Sequence, residues 1–127
     1  MAAWTSDELG RIDRSDELEV APVLRDGSLR EPVPVWVVRD GDDLYVRAVN
    51  GRGAAWFRAA TRCHEGHVLA GGVAKDVVFE DVDGDAGRIQ DTLDTAYQAK
   101  YSHYPSDIVG SVTSGKARSA TLKLVPR

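Results

Sequence analysis

Arginine is concentrated in the middle of this 127-residue chain, where it could bind an anionic ligand. Residues 25–62 hold seven arginines against five acids and no lysine, which makes this the net-basic part of the chain. The planar guanidinium fork matches phosphate and carboxylate groups better than the ammonium of lysine does. Arginines spread over 38 residues can equally be the solvated ends of strands. The charge pattern alone therefore leaves both interpretations open.

Two tryptophans accompany these arginines. Trp36 lies in a run that is apolar at nearly every position, and Trp56 begins a segment with the apolar spacing of an amphipathic helix. Arg47 lies on the intervening strand, and Arg52 lies in the glycine turn before the helix. Such an order would place guanidinium and backbone N–H groups beside flat aromatic side chains. It predicts a site for a planar, phosphorylated ligand, although either tryptophan could also be a core residue.

Other chemical motifs in the chain are incomplete. Residues 110–116 (GSVTSGK) have the spacing of a phosphate-binding loop, but Ala117 replaces its Ser or Thr, so we interpret the segment as a flexible glycine-serine turn. Cys63, His64 and His67 lack a second cluster of ligands, and we predict no metal site. No Gly-x-Ser-x-Gly elbow is present. We name no catalytic residue and expect any chemistry to belong to a cofactor.

The elements that would position these residues follow from periodicity and start signals. Thr5 and Glu8 predict a capping box on a helix over 5–14, and alternation from Glu17 predicts a strand. Gly66 is predicted to end the helix that contains Trp56. The remaining predicted strands cover 33–39, 44–49, 68–71, 75–82 and 121–126, and the remaining helices cover 54–62 and 85–101, the last capped by Asp85.

The count and order of these elements predict a fold class. About six strands in adjacent hairpins and about three flanking helices, without regular strand-helix alternation, indicate a mainly β (α+β), six-stranded antiparallel barrel. The strand over 33–39 is apolar on both faces, which is typical of a small barrel or of a sheet buried in a dimer. A length of 127 residues predicts a single domain over 1–127.

Composition limits the environment and the partners. The net charge of −4 argues against nucleic-acid binding, and the short apolar runs argue against a membrane span. The single cysteine and the absence of a leader pattern at the start predict a cytoplasmic location.

Several of these segments together resemble known families. The order DGSLREPVPVWVVRDGDDLYVRAVNGRGAAWFRAA, then GHVLAGG and VVFEDV, resembles the split β-barrel proteins related to pyridoxamine-phosphate oxidase, and most closely their deazaflavin-dependent nitroreductase-like branch. This resemblance covers about residues 18–82. The W-x-x-DEL opening, the AYxxKY segment at 96–101 and the TLKLVPR end are similar to a bacterial family, domain of unknown function 2255, over nearly the whole chain.

The split-barrel resemblance implies a homodimer with FMN or a deazaflavin in a groove between subunits. It implies that Arg30 lies near the cofactor phosphate and that Arg47, Arg52, Gly53 and Trp56 lie beside the cofactor. With Trp36 added, the expected cofactor-binding residues are Arg30, Trp36, Arg47, Arg52, Gly53 and Trp56.

Two functions remain open at this point. One is a small oxidoreductase in which a flavin or deazaflavin transfers hydride while the chain orients its phosphate and excludes water. The other is a non-catalytic dimeric module of the same fold that binds an anionic or planar small molecule. Whether the chain is an enzyme is left undecided, because a fold does not establish an activity.

Overall fold

The structure, a computed structural model, describes residues 3–82 and 88–127 and contains a closed β-barrel. Six antiparallel strands close in the order β1-β2-β3-β6-β5-β4, which confirms the predicted barrel. The strands are β1 (Glu17–Pro22), β2 (Val33–Asp40), β3 (Asp43–Arg47), β4 (Glu65–Ala70), β5 (Val73–Asp81) and β6 (Thr121–Pro126). The described helices are α1 (Ser6–Asp13), α2 (Ala55–Cys63), α3 (Arg88–Lys100), α4 (Ser106–Val112) and α5 (Gly115–Arg118).

The first helix forms as its start signals predict. Thr5 accepts a hydrogen bond from the backbone N–H of Glu8, whose side chain accepts from the Thr5 backbone, so the capping box is complete. Trp4 and Leu9 are both buried in the barrel core, and the Trp4 indole N–H donates to the Leu124 carbonyl at 3.0 Å. This bond ties the start of the chain to its last strand.

The two apolar faces of β2 belong to two different cores. Val37 points into the barrel, whereas Trp36 and Val38 point outward and pack against α3 residues that include Leu93 and Tyr97. A helix of the same chain therefore covers the outer face of β2. This explains an apolar strand without a second subunit at these positions.

Although the six strands close the barrel, β2 changes its neighbour part-way along its length, and we name the stretch without a ladder between β2 and β3 the open seam. Residues 33–36 pair with β1, but it is residues 37–40 that pair with β3. Beyond this point β3 continues alongside β6, and the Ala48 N–H donates to the Ala120 carbonyl at 3.0 Å. One edge of residues 33–36 therefore has no ladder hydrogen bonds to β3. Pro34, which has no N–H to leave unpaired, lies in this stretch.

Tyr97 of α3 and Tyr101, which directly follows this helix, satisfy the backbone of β2 where its ladders end. The Tyr97 hydroxyl donates to the Trp36 carbonyl at 3.1 Å, at the point where β2 has no ladder to β3. The Tyr101 hydroxyl accepts from the Val37 N–H at 3.1 Å and lies 2.6 Å from the Asp16 carbonyl, beyond the end of β1. Buried backbone groups that lack a strand partner thereby find a side-chain partner.

Two sequence predictions were wrong after β3. Helix α2 ends at His64, which takes the left-handed conformation with φ of 62°, and not at Gly66. The segment over 110–116, predicted to be a flexible turn, contributes to α4 and α5. Its glycines and serines have low helix propensity, but burial of Val112 and the Ser114 cap on the Ala117 N–H stabilise these short helices. The predicted cap at Asp85 lies outside the described residues.

Gly66 is instead required inside β4. A Cβ atom at this position would lie 2.6 Å from the Phe79 ring and 2.8 Å from the Ala21 carbonyl oxygen. Phe79 is buried, and the Ala21 carbonyl belongs to β1, which pairs with β4 at this point, so a Cβ atom would have to displace one of them. Close packing and not a turn conformation explains the glycine.

We expect Gly66→Ala to lower the free energy of unfolding by roughly 2 kcal/mol or more, because overpacking forces the strand and Phe79 apart. The matched control is Gly53→Ala, where a new Cβ would meet nothing within 4 Å. Urea denaturation of both variants measures the difference. Equal stabilities would contradict the close approach described for β4.

Candidate functional site

A cavity of about 520 Å³ lies at the open seam of the barrel. It is lined by residues 33–36 of β2, residues 54–56 at the start of α2 and residues of α4. The lining is mainly apolar, with a few polar and charged groups that include Glu17, Arg30, Asn50 and Ser111. A largely apolar cavity with a few polar groups is typical of small-molecule sites. It forms within a single chain.

Trp36 provides a flat wall of this cavity. The Tyr101 ring is stacked on one face of the indole, with the centroids 3.9 Å apart and the planes 1° from parallel. Tyr104 lies 4.8 Å from Trp36 and 6.0 Å from Tyr101, which places it at the edge of the indole and not on the second face. This fixed indole, held from one side, is suited to stack with a planar ligand.

The start of α2 forms another part of the cavity lining. Ala54 occupies the N-cap position and no side chain caps the helix, so the first-turn N–H groups have no capping partner. Ala54, Ala55 and Trp56 all line the cavity. An uncapped helix N-terminus presents donors and the positive end of the helix dipole, which favour an anion. The Trp56 ring is 7% exposed and packs against the edge of Phe57.

Arg47 lies at the cavity wall, but its hydrogen bonds are all used within the protein. Its side chain is buried and donates to five oxygen atoms: Asp94 Oδ1 at 2.6 Å, Val112 O at 3.0 Å, Gln90 O at 3.2 Å, Gln90 Oε1 at 2.7 Å and Thr121 Oγ1 at 3.2 Å. A guanidinium has five N–H hydrogens, so none remains for a ligand. Arg47 therefore joins β3 to α3, α4 and β6 and shapes the cavity instead of offering a charge to it.

The other expected site residues divide between the cavity and the surface. Arg30 lines the cavity, and its guanidinium donates to the Glu31 carbonyl at the long distance of 3.4 Å. Arg52 and Gly53 are not among the lining residues. The Arg52 guanidinium pairs with the Asp81 carboxylate at 2.5 Å and donates to the Ser119 carbonyl at 2.7 Å. The structure thus brings Arg30, Trp36, Arg47 and Trp56 to one cavity and leaves Arg52 and Gly53 outside it.

Sequence reasoning missed the contribution of α4 and of Glu17. Ile108, Ser111 and Val112 line the cavity from α4, whose apolar residues recur at helical spacing in the sequence. That periodicity was a usable signal, obscured by the neighbouring phosphate-loop-like glycines. Glu17 lies directly across the β1–β2 ladder from Trp36, and no sequence signal indicates that this pair meets at a cavity.

Burial shifts the pKa values of the groups behind Trp36. Burial raises the pKa of both Tyr97 and Tyr101 well above the usual value of a phenol, so both remain protonated donors. Burial lowers the pKa of Lys100 to about 8, against the opposing effect of Asp13 and Asp16. The Lys100 Nζ donates to the Val37 carbonyl at 2.8 Å. The backbone beside Trp36 is therefore held by side chains that keep their protons at neutral pH.

Neither a metal-ligating cluster nor a membrane-spanning helix is found in residues 3–82 and 88–127. Within these ranges no group of three or more His, Cys, Asp or Glu side chains is arranged to hold a metal ion. In the same part of the chain, no helix has the length and apolar character needed to cross a membrane.

The family of this protein follows from a match to a family model over almost the whole chain. The model of one family, described as "Uncharacterized protein conserved in bacteria (DUF2255)", matches residues 8–124. The chain belongs to the DUF2255 family. This confirms the family resemblance identified in the sequence. Among curated proteins, no sequence matches this DUF2255 protein significantly.

Solved structures with a similar fold support the split-barrel assignment. A conserved hypothetical protein of Mycobacterium tuberculosis, Rv2991, superposes with a TM-score of 0.69 at 11% identity, covering 100% of this chain and 82% of that one. A pyridoxamine 5′-phosphate oxidase-like protein of Listeria innocua gives 0.59 at 14% identity, covering 94% and 90%. An F420 reductase gives 0.55 at 13% identity, covering 93% and 90%. At these identities the likeness shows the fold alone.

The Arg47 network generates a stability prediction for this DUF2255 protein. We expect Arg47→Gln to lower the free energy of unfolding by about 3 kcal/mol or more, because Asp94 and the surrounding oxygens lose a buried partner. The matched control is Arg52→Gln, whose pair with Asp81 is partly exposed and contributes only about 0–1 kcal/mol. Chemical denaturation measures both. Similar losses in the two variants would contradict the internal role of Arg47.

Proposed function

We propose that the seam cavity binds a flavin-type cofactor, FMN or a deazaflavin, and that the protein is a small oxidoreductase acting by hydride transfer at that cofactor. The observation that carries this proposal is that one cavity of about 520 Å³ is lined both by a flat indole and by an uncapped helix N-terminus. A phosphorylated planar ring can use both features, the indole for its ring and the helix N-terminus for its phosphate. The similar fold of an F420 reductase supports the choice of cofactor class.

The described residues suggest how such a cofactor would be held. The second face of Trp36 would stack with the ring system, while the first-turn N–H groups of α2 and the Arg30 guanidinium would bind phosphate oxygens. Trp56 and Ile108 would limit access of water to the ring. Hydride chemistry belongs to the cofactor, and these residues bind and orient it.

Titration of the purified protein with FMN, F420 and pyridoxal phosphate, followed by tryptophan fluorescence, tests the proposal. We expect micromolar quenching by FMN or F420, and at least tenfold weaker binding in Arg30→Gln, since one charge-assisted phosphate contact is worth roughly 1.5–3 kcal/mol. Arg52→Gln serves as the matched control and should bind like the wild type, because its side chain lies outside the cavity. Absence of binding by FMN and F420 would reject the oxidoreductase proposal.

A non-catalytic binding module remains the second candidate, and the Arg47 network favours it. Because the most buried cation at the cavity is saturated by protein oxygens, it cannot polarise a substrate or move with one. Such a module would bind a planar anion in the titration. With hydride donors and acceptors added, it would neither reduce nor reoxidise FMN or F420.

We further propose that a second copy of the chain covers the mouth of the cavity. Val49 and Ile108 line the cavity, yet their side chains are 45% and 44% exposed. Large exposed apolar side chains beside a cavity are typical of an interaction surface. This surface would shield a bound ring that one chain leaves partly open.

Light scattering tests the dimer directly. We expect a mass twice the 13.8 kDa of the chain, and a shift toward the single-chain mass in Val49→Lys, because a buried unpaired ammonium opposes association. Leu69→Lys is the control, since Leu69 is similarly exposed at 43% but lies on β4 and does not line the cavity. A wild-type protein of single-chain mass would reject the dimer.

A further inference from the structure

A continuous path of aromatic rings leads from the cavity to the protein surface. Trp36, at the cavity wall, is stacked on Tyr101 at 3.9 Å and lies 4.8 Å from Tyr104. Tyr104 in turn lies 4.4 Å from the imidazole of His103, whose side chain is 58% exposed. We name Trp36, Tyr101 and Tyr104 the aromatic relay. Tryptophan and tyrosine are the side chains most readily oxidised by one electron, and rings in contact exchange electrons rapidly.

The two tyrosines of the relay differ in where their protons can go. The Tyr104 hydroxyl donates to the Asp16 carboxylate at 3.0 Å, and His103 lies 3.4 Å from the same oxygen. The Tyr101 hydroxyl donates instead to the Asp16 backbone carbonyl. A phenol that loses an electron becomes a strong acid and must pass its proton to a base. A carboxylate is such a base at neutral pH, whereas an amide carbonyl is not.

Hydrogen bonding therefore gives the relay a direction. Tyr101 is stacked on Trp36, but its hydroxyl is bonded to a backbone carbonyl and has no base to accept its proton, so it does not retain the oxidation. Tyr97 likewise has no base to accept its proton, because it is fully buried and donates to the Trp36 carbonyl. Among the tyrosines of the cluster behind Trp36, Tyr104 combines a ring contact with a carboxylate partner near solvent.

We propose that the aromatic relay carries an oxidising equivalent from the cavity to Tyr104 and Asp16, and so protects the cavity from one-electron oxidation. A one-electron oxidant, such as a photoexcited flavin, takes one electron from Trp36. An electron from Tyr104 then restores Trp36, and the Tyr104 hydroxyl proton moves to the Asp16 carboxylate. The products are a reduced oxidant, a neutral tyrosyl radical and a protonated Asp16.

This inference rests on the proposed function only for the natural source of the oxidant. The path itself consists of the chain's own residues and needs no cofactor to be measured. It can therefore be tested on the protein without any ligand, with a readout other than enzyme activity.

Pulse radiolysis with the azide radical, which oxidises tryptophan, provides the test. Trp36 is the most accessible of the three tryptophans, because Trp4 and Trp56 are 8% and 7% exposed. We expect the tryptophanyl absorption to decay as the tyrosyl absorption rises, at a first-order rate that does not depend on protein concentration. In Tyr104→Phe this rate should fall at least tenfold.

Asp16→Asn separates proton acceptance from ring stacking. It keeps the Tyr104 ring and removes the base, so the rate should again fall at least tenfold. Asp13→Asn is the matched control, since Asp13 is exposed nearby but has no bond to Tyr104, and it should match the wild type. Trp56→Phe should also leave the rate unchanged, whereas Trp36→Phe should reduce the yield of tyrosyl radical. Circular dichroism verifies that each variant is folded.

A rate in Tyr104→Phe equal to the wild-type rate would overturn the proposal, as would a rate proportional to protein concentration. A normal rate in Asp16→Asn would overturn the role of the carboxylate. Failure to bind FMN or F420 would reject the proposed function but would not change the expected rates of radical transfer. The two proposals can therefore fail separately.

Discussion

The structure depends on how β2 is satisfied at the point where its neighbours change. Along its first half β2 pairs with β1, and along its second half it pairs with β3. Each change of partner leaves backbone groups that would lose about 1–3 kcal/mol if buried without a hydrogen bond. The hydroxyls of Tyr97 and Tyr101 satisfy two of these groups, the Trp36 carbonyl and the Val37 N–H.

The cavity lies at the open seam, and Arg47 holds in place the helices that form part of its lining. Its guanidinium binds two residues of α3, the last carbonyl of α4 and the first side chain of β6, which fixes the C-terminal helices over the outer face of β2 and β3. A charge buried at this depth is stable only with a full set of partners. The same network that shapes the cavity wall therefore prevents this arginine from binding a ligand.

Much of the barrel could be predicted from local patterns, because strand alternation and turn residues act over a few positions. The capping box at Thr5, the turn at Gly71 and Gly72 and the last strand over 121–126 all agree with the structure. Helices α4 and α5 were missed, since their stability comes from packing of Val112 and from a cap and not from intrinsic propensity. Gly66 was misassigned because a close approach between strands leaves no mark in the neighbouring sequence.

The candidate site shows the same division. The sequence by itself determined that the arginines and tryptophans lie on predicted strands and at a helix start, because residue type and spacing are local properties. Only the tertiary structure decided that the Arg47 guanidinium bonds to α3 and α4, that the Arg52 guanidinium pairs with Asp81, and that Glu17 lies beside Trp36 at the cavity. These outcomes depend on contacts between residues far apart in the chain. A guanidinium binds whichever oxygens the fold brings to it, and its own sequence neighbours do not specify them.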